Sequence, residues 1–186
     1  MHLGELLDQV RSYYLNRLAA EVNETDGKYH LIIEPAFRNA DGTYATEGAL
    51  ELPCRKDLGL TEEGKVTKLL TVDTEDMLSF EPITFAWENG VQVSLHPFQW
   101  NYCPCEIAGS TASPNWSPVK QWFLKWFEET PEENGSLMRC VHFMSDPEPT
   151  GSGFSLEIDF GSAPVEAFEE FIDSLGKTGF QELKIG

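Results

Sequence analysis

Positive charge is what this chain lacks most. Against 31 Asp and Glu there are only 13 Lys and Arg, a formal net charge of −18. From Leu69 to Val119 there is neither Lys nor Arg, while Asp73, Glu75, Asp76, Glu81, Glu88 and Glu106 fall in the same interval. From Glu128 to Asp173 twelve acids meet the single base Arg139. Phosphate backbones are held by Lys and Arg, so direct nucleic-acid binding is excluded as an expectation. Anionic membrane surfaces are disfavoured for the same reason. A basic protein partner or a cationic ligand fits the charge, and so does a plain solubilising surface.

Long apolar runs are also missing. Nothing approaches the roughly 20 residues that cross a bilayer. Glu5 and Asp8 among the first leucines do not fit a secretory leader, so a cytoplasmic protein is expected. Cysteine is sparse: Cys54, Cys103, Cys105 and Cys140, read as reduced thiols that behave as small buried hydrophobes. No phosphate loop, dinucleotide fingerprint, nucleophile elbow or His-Glu-x-x-His helix is present. No cofactor is therefore expected.

What is present suffices for a core. With 41% hydrophobic and 12% aromatic residues over 186 positions, one domain covering residues 1–186 is expected. The stretch Glu81–Ile107 reads as its central antiparallel sheet. Pro82–Glu88 and Val91–His96 alternate at period two around Asn89-Gly90. A two-residue loop would split the apolar residues between faces. A three-residue loop, Glu88-Asn89-Gly90, pairs Trp87 with Val91 and gathers Ile83, Phe85, Trp87, Val91, Val93 and Leu95 on one face, with Gly90 left-handed. Phe98, Trp100 and Tyr102 continue the alternation.

Elsewhere, Leu3–Ala20 has the three-and-four apolar spacing of an amphipathic helix, with Leu3, Leu6, Leu7, Val10, Tyr13, Tyr14 and Leu18 on its buried face. Tyr29–Phe37, Tyr44–Leu52 and Lys65–Asp73 read as strands, and Cys54–Lys65 as a charged surface connection. A second helix opens at Ser117-Pro118 with a broad aromatic face of Trp122, Phe123, Trp126 and Phe127. Leu137–Met144 reads as an internal strand, apolar on both faces, and Phe154–Phe160 as its neighbour. A third helix spans Ser162–Leu175, capped by Ser162, and a last strand spans Phe180–Ile185. The fold class is α+β, a largely antiparallel sheet with about three helices.

Two groupings carry possible chemistry. Cys103-Pro104-Cys105 and Cys140-Val141-His142 both have i, i+2 spacing. Two such pairs on neighbouring strands would make a tetrahedral zinc site, the basis of an alternative reading as a small hydrolase or zinc enzyme. A Cys–His nucleophile pair, with Cys103 or Cys105 beside His96 or His142, needs an electropositive pocket that this chain does not offer. The carboxylate pairs Asp73/Glu75 and Glu157/Asp159 sit one strand-step apart and suit a cation or, more simply, a solvated acidic face.

Phe154–Gly186 carries a resemblance. The strand F-S-L-E-I-D-F, the turn D-F-G-S-A-P and the acidic helix V-E-A-F-E-E-F-I-D-S-L resemble small bacterial immunity proteins of polymorphic-toxin and contact-dependent systems. The similarity covers 33 of 186 residues. It implies a non-enzymatic, antitoxin-like protein that occludes a basic toxin domain, and it brings no catalytic residues. Opposite charge would steer such a pair together. The patches expected to meet the partner are Glu166, Glu169, Glu170 and Asp173 on the third helix and Glu128, Glu129, Glu132 and Glu133 after the second, with Trp116 as an aromatic anchor.

Overall fold

The computed structural model describes residues 2–25, 30–62, 65–73, 77–109, 113–128 and 137–186. Its elements run α1 (Leu3–Thr25), β1 (His30–Ile33), β2 (Thr46–Glu47), β3 (Leu52–Pro53), β4 (Leu58–Glu62), β5 (Lys65–Leu70), β6 (Ile83–Ala86), β7 (Gln92–Leu95), β8 (Cys103–Ala108), α2 (Ser117–Phe127), β9 (Phe143–Met144), β10 (Glu148–Pro149), β11 (Gly153–Asp159), α3 (Val165–Thr178) and β12 (Glu182–Ile185). Among the described residues, three helices and mostly antiparallel strands make an α+β fold, as the sequence implies.

The main sheet is ordered β10-β11-β8-β12-β7-β6, with β9 paired to the far end of β11. The β6–β7 hairpin has the three-residue loop. Ile83 faces Leu95 and Phe85 faces Val93, the Trp87 amide donates to Val91 O at 2.8 Å, and Gly90 adopts φ +90°. Its place differs from the expectation. The hairpin forms the sheet edge, and β8 and β12 occupy the middle. Val91, Val93 and Leu95 are buried, but Ile83 is exposed, because the outermost strand has no neighbour beyond it. Tyr102 likewise turns outward, while Phe98 and Trp100 are buried.

Inward residues of β7, β8, β11 and β12 alternate as the pleat requires: Val93 and Leu95, Cys105 and Ile107, Leu156 and Ile158, Leu183 and Ile185. α3 lays Phe168, Phe171, Ile172 and Leu175 into the same core. Trp100 lies 4.9 Å from Phe160 and Trp122 4.9 Å from Phe171, centroid to centroid, so the aromatic face of α2 is core. α1 runs on to Thr25 and buries Leu6, Leu7, Val10, Tyr14 and Leu18, while Tyr13 is exposed. Arg11 fastens α1 to the turn before α3 by donating to Ala163 O and Ser162 O.

Three segments depart from the expectation. Cys54–Lys65 is not a surface connection, because it contains β4, the middle strand of a second sheet, β1-β4-β5. Leu58, Gly59, Leu60 and Thr61 are all buried there. Tyr44–Leu52 is not one strand; it holds β2 and the start of its short partner β3. Leu137–Val141 is irregular, since Arg139 takes φ +52° and the amides of Cys140 and Val141 donate to Ser162 Oγ and Trp126 O instead of to a strand. That backbone cannot join a ladder, so only Phe143 and Met144 pair with β11. Ser162 does not cap α3; Pro164 holds that position and the Ser162 hydroxyl serves Cys140.

Candidate functional site

A dense polar cluster lies buried where α1, the residues after β1 and before β4, the 138–142 segment and the end of β11 meet. Tyr14, Glu34, Arg55, Asp57 and His142 are each at most 1% exposed. A charged group buried in this way must be paired. Glu34 follows β1 at φ +53°, a strained conformation for a residue with a Cβ. One carboxylate oxygen, Oε1, accepts from His142 Nε2 at 2.7 Å and from the Ser162 amide at 3.1 Å; the other accepts from the Met138 amide at 2.6 Å. Arg55 donates to Glu34 O and Phe127 O and stacks over the Phe127 ring.

On the other side of the imidazole, Nδ1 lies 3.2 Å from Asp57 Oδ1 and 3.7 Å from Asp159 Oδ2. Neither contact is aligned as a hydrogen bond. Asp57 Oδ1 accepts from the Tyr14 hydroxyl and Oδ2 from the Val72 amide at 2.6 Å. Asp159 Oδ1 accepts from the Gly161 amide at 2.8 Å. Gly161 has no room for a side chain, as a Cβ there would stand 2.3 Å from His142 Cδ2.

The electrostatics follow from these contacts. Burial alone would raise the pKa of Glu34 and Asp57, but the His142 hydrogen bond to Glu34, the imidazolium charge beside both carboxylates and the surrounding donors bring both below the ordinary carboxylate range. Burial pulls the His142 pKa down, yet Tyr14, Asp159 and Asp57 override it and leave the imidazole well above its usual value. Asp159 is raised, chiefly by burial. The cluster therefore sets three carboxylates around one imidazole, with the Arg55 guanidinium beside them.

The cysteines do not assemble as the zinc alternative requires. The thiols of Cys103 and Cys105 stand 3.9 Å apart, buried on β8. Cys140 and His142 do face one way, but toward Glu34 Oε1. Burial pushes the Cys103 and Cys140 thiols upward, away from nucleophilic thiolate. His96 contacts Ser94 Oγ.

The acidic residues expected at a partner surface fall into separate groups. Glu166, Glu169 and Asp173 lie on α3, where Glu169 also feels Asp8 of α1 and Glu88 of the hairpin. Its pKa is raised by partial burial and then by those like charges. Glu170 turns away, accepting from Lys125 at 2.6 Å and Trp126 Nε1 at 2.9 Å. Asp173 accepts from Trp87 Nε1, which docks the hairpin on α3. Glu128 is exposed at the end of α2, and Glu129, Glu132 and Glu133 lie outside the described residues. Trp116 is half-buried against Phe154 and Phe180, so much of its ring is committed to the fold.

Glu34 and Asp57 were not expected from the sequence, and Tyr14 was expected only as part of the buried face of the first helix. The available signal was polar residues interrupting apolar stretches, at Glu34 between Ile33 and Pro35 and at Asp57 before Leu58. Among the described residues no helix is long and apolar enough to cross a membrane. Neither a family model, nor a curated protein, nor a solved structure matches this chain.

Proposed function

We propose that the chain is a non-enzymatic inhibitory protein of the immunity type, which binds and occludes a basic bacterial toxin domain. The observation that carries this reading is the acidic group around Glu169. Three elements converge there, and Asp8, Glu88, Glu166 and Asp173 all press negative charge on one half-buried carboxylate. Such a group is unfavourable to the isolated protein and is relieved by a cationic surface. Opposite charge speeds encounter and rejects wrong partners, which a toxin inhibitor needs.

The test is to purify the tagged protein from its native host with the neighbouring gene products, washing at low and then high salt. A basic toxin domain is expected in near-equal stoichiometry, more easily lost at high salt. The triple substitution Glu166→Lys, Glu169→Lys, Asp173→Lys is expected to slow association by roughly 10- to 100-fold. Unchanged association in the triple variant, or no basic partner under any condition, refutes the proposal.

A further inference from the structure

The atoms around His142 are arranged in two shells. Three of them converge: His142 Nδ1, Asp57 Oδ1 and Asp159 Oδ2, all within 4.8 Å of one another. The opposite atom of each residue is fixed by the protein. Glu34 Oε1 holds His142 Nε2, the Val72 amide holds Asp57 Oδ2, and the Gly161 amide holds Asp159 Oδ1. Metal-ligating histidines commonly have the second ring nitrogen bonded to a carboxylate, and their carboxylate co-ligands are hydrogen-bonded in turn. Here Glu34 holds the imidazole, and Asp57 accepts from the Val72 amide at Oδ2 and from the Tyr14 hydroxyl at Oδ1.

We infer that Asp57, His142 and Asp159 form a binding site for one divalent transition-metal ion of zinc's class, with Glu34 as the residue that positions the imidazole. Three observations support it. First, Nδ1 is a fully buried polar atom without a hydrogen-bond partner, although two carboxylate oxygens stand beside it. Second, the spacing suits an ion. Two ligands each about 2.1 Å from a tetrahedral zinc lie roughly 3.4 Å apart, and the separations from Nδ1 are 3.2 and 3.7 Å. Third, the charge suits a dication. Three carboxylates pack around one imidazole with the Arg55 guanidinium beside them, so an imidazolium leaves one negative charge over, whereas a dication bound to neutral imidazole leaves none.

The site also has an entrance. Asp159 forms part of the wall of a cleft of about 370 Å³, where Asp73 and Glu157 stand with the cations Arg55 and Lys56. Its side chain is 17% exposed, while Asp57 and His142 are sealed beneath it. An ion entering from this cleft meets Asp159 first. This set differs from the Cys103, Cys105, Cys140 and His142 quartet of the sequence reading. It does not rest on the proposed toxin partner, since metal binding and partner binding are measured separately.

The test starts with full-length protein dialysed against EDTA and titrated with Zn²⁺ against a chromophoric chelator. One ion per chain is expected. Asp159→Asn, at the cleft, is expected to weaken binding at least tenfold, and Glu34→Gln by roughly 10- to 100-fold. Nitrogen-15 spectra of the wild-type imidazoles supply a readout that needs no variant. Zn²⁺ is expected to shift Nδ1 of the buried histidine while Nε2 keeps its proton. Absence of stoichiometric binding, unchanged affinity in both variants, or a shift confined to another histidine overturns the inference. In that event the cluster is a proton-bridged ion network only.

Discussion

Gly161 is where one missing methyl group decides the geometry of the buried cluster. Its φ of +51° is left-handed, and the space a side chain would need is filled by the His142 ring and Cys140 O. Gly161→Ala adds backbone strain to overpacking, each about 1–3 kcal/mol. A loss of about 2–5 kcal/mol in urea unfolding is expected; a loss under about 1 kcal/mol would show that His142 is free to move. Glu34 is plain in the structure, whereas the sequence marks it only as a polar residue between Ile33 and Pro35. A buried carboxylate at φ +53° contradicts both hydrophobic patterning and ordinary turn chemistry. Its carboxylate is held by the donors Met138, Ser162 and His142, which lie more than a hundred residues away in the chain. His142 could be singled out because Cys140 shares its side of the chain, and Asp159 because Glu157 sits one strand-step away; Glu34 and Asp57 could not.

At the scale of elements, the hairpin shows what periodicity resolves and what it leaves open. Alternation and the demand for one apolar face fix the Trp87–Val91 register, because a slip of one residue would turn Val93 and Leu95 into solvent. Alternation does not say whether a hairpin sits inside a sheet or at its margin. Val93→Ala on β7 is expected to cost about 2–3 kcal/mol in thermal or urea unfolding, and Ile83→Ala on exposed β6 less than about 1 kcal/mol. Similar costs for both would contradict the edge position. Cys54–Lys65 failed in the opposite direction: Arg55 and Asp57 looked like solvent-facing charge, yet each is satisfied internally and so is buried.

The helix α3 has a pH signature of its own. Glu169 has a raised pKa in the fold, so folding favours its protonated form. The penalty is absent below the unfolded value near 4.5 and grows as pH rises through the raised one. Glu169→Gln is therefore expected to stabilise the protein at pH 7 by a few tenths of a kcal/mol, the scale of surface charge effects, and to leave it unchanged near pH 3. Unfolding curves at the two pH values check this. A loss at pH 7 would mean that Glu169 makes a favourable contact.

At the scale of the whole molecule, composition and patterning sufficed for the α+β class, the three helices and most main-sheet strands. The order of those strands was not readable. β12 lies between β7 and β8, parallel to the first and antiparallel to the second. That arrangement depends on interactions between segments far apart in sequence, which no local window reports.

This placement bears on synthesis. While the chain emerges from the ribosome, β7 and β8 are made well before the strand that joins them. Until Ile185 has appeared, each presents unpaired amides and carbonyls along the side that β12 will fill. The half-finished sheet is thus an open seam that another strand, from this chain or a neighbour, can occupy by mistake. Nascent chains arrested before residue 182 are expected to be protease-sensitive and to engage chaperones, and chains extended beyond Ile185 by a linker that spans the ribosomal exit tunnel are expected to become resistant. Equal resistance at both lengths would show that the seam closes without its last strand.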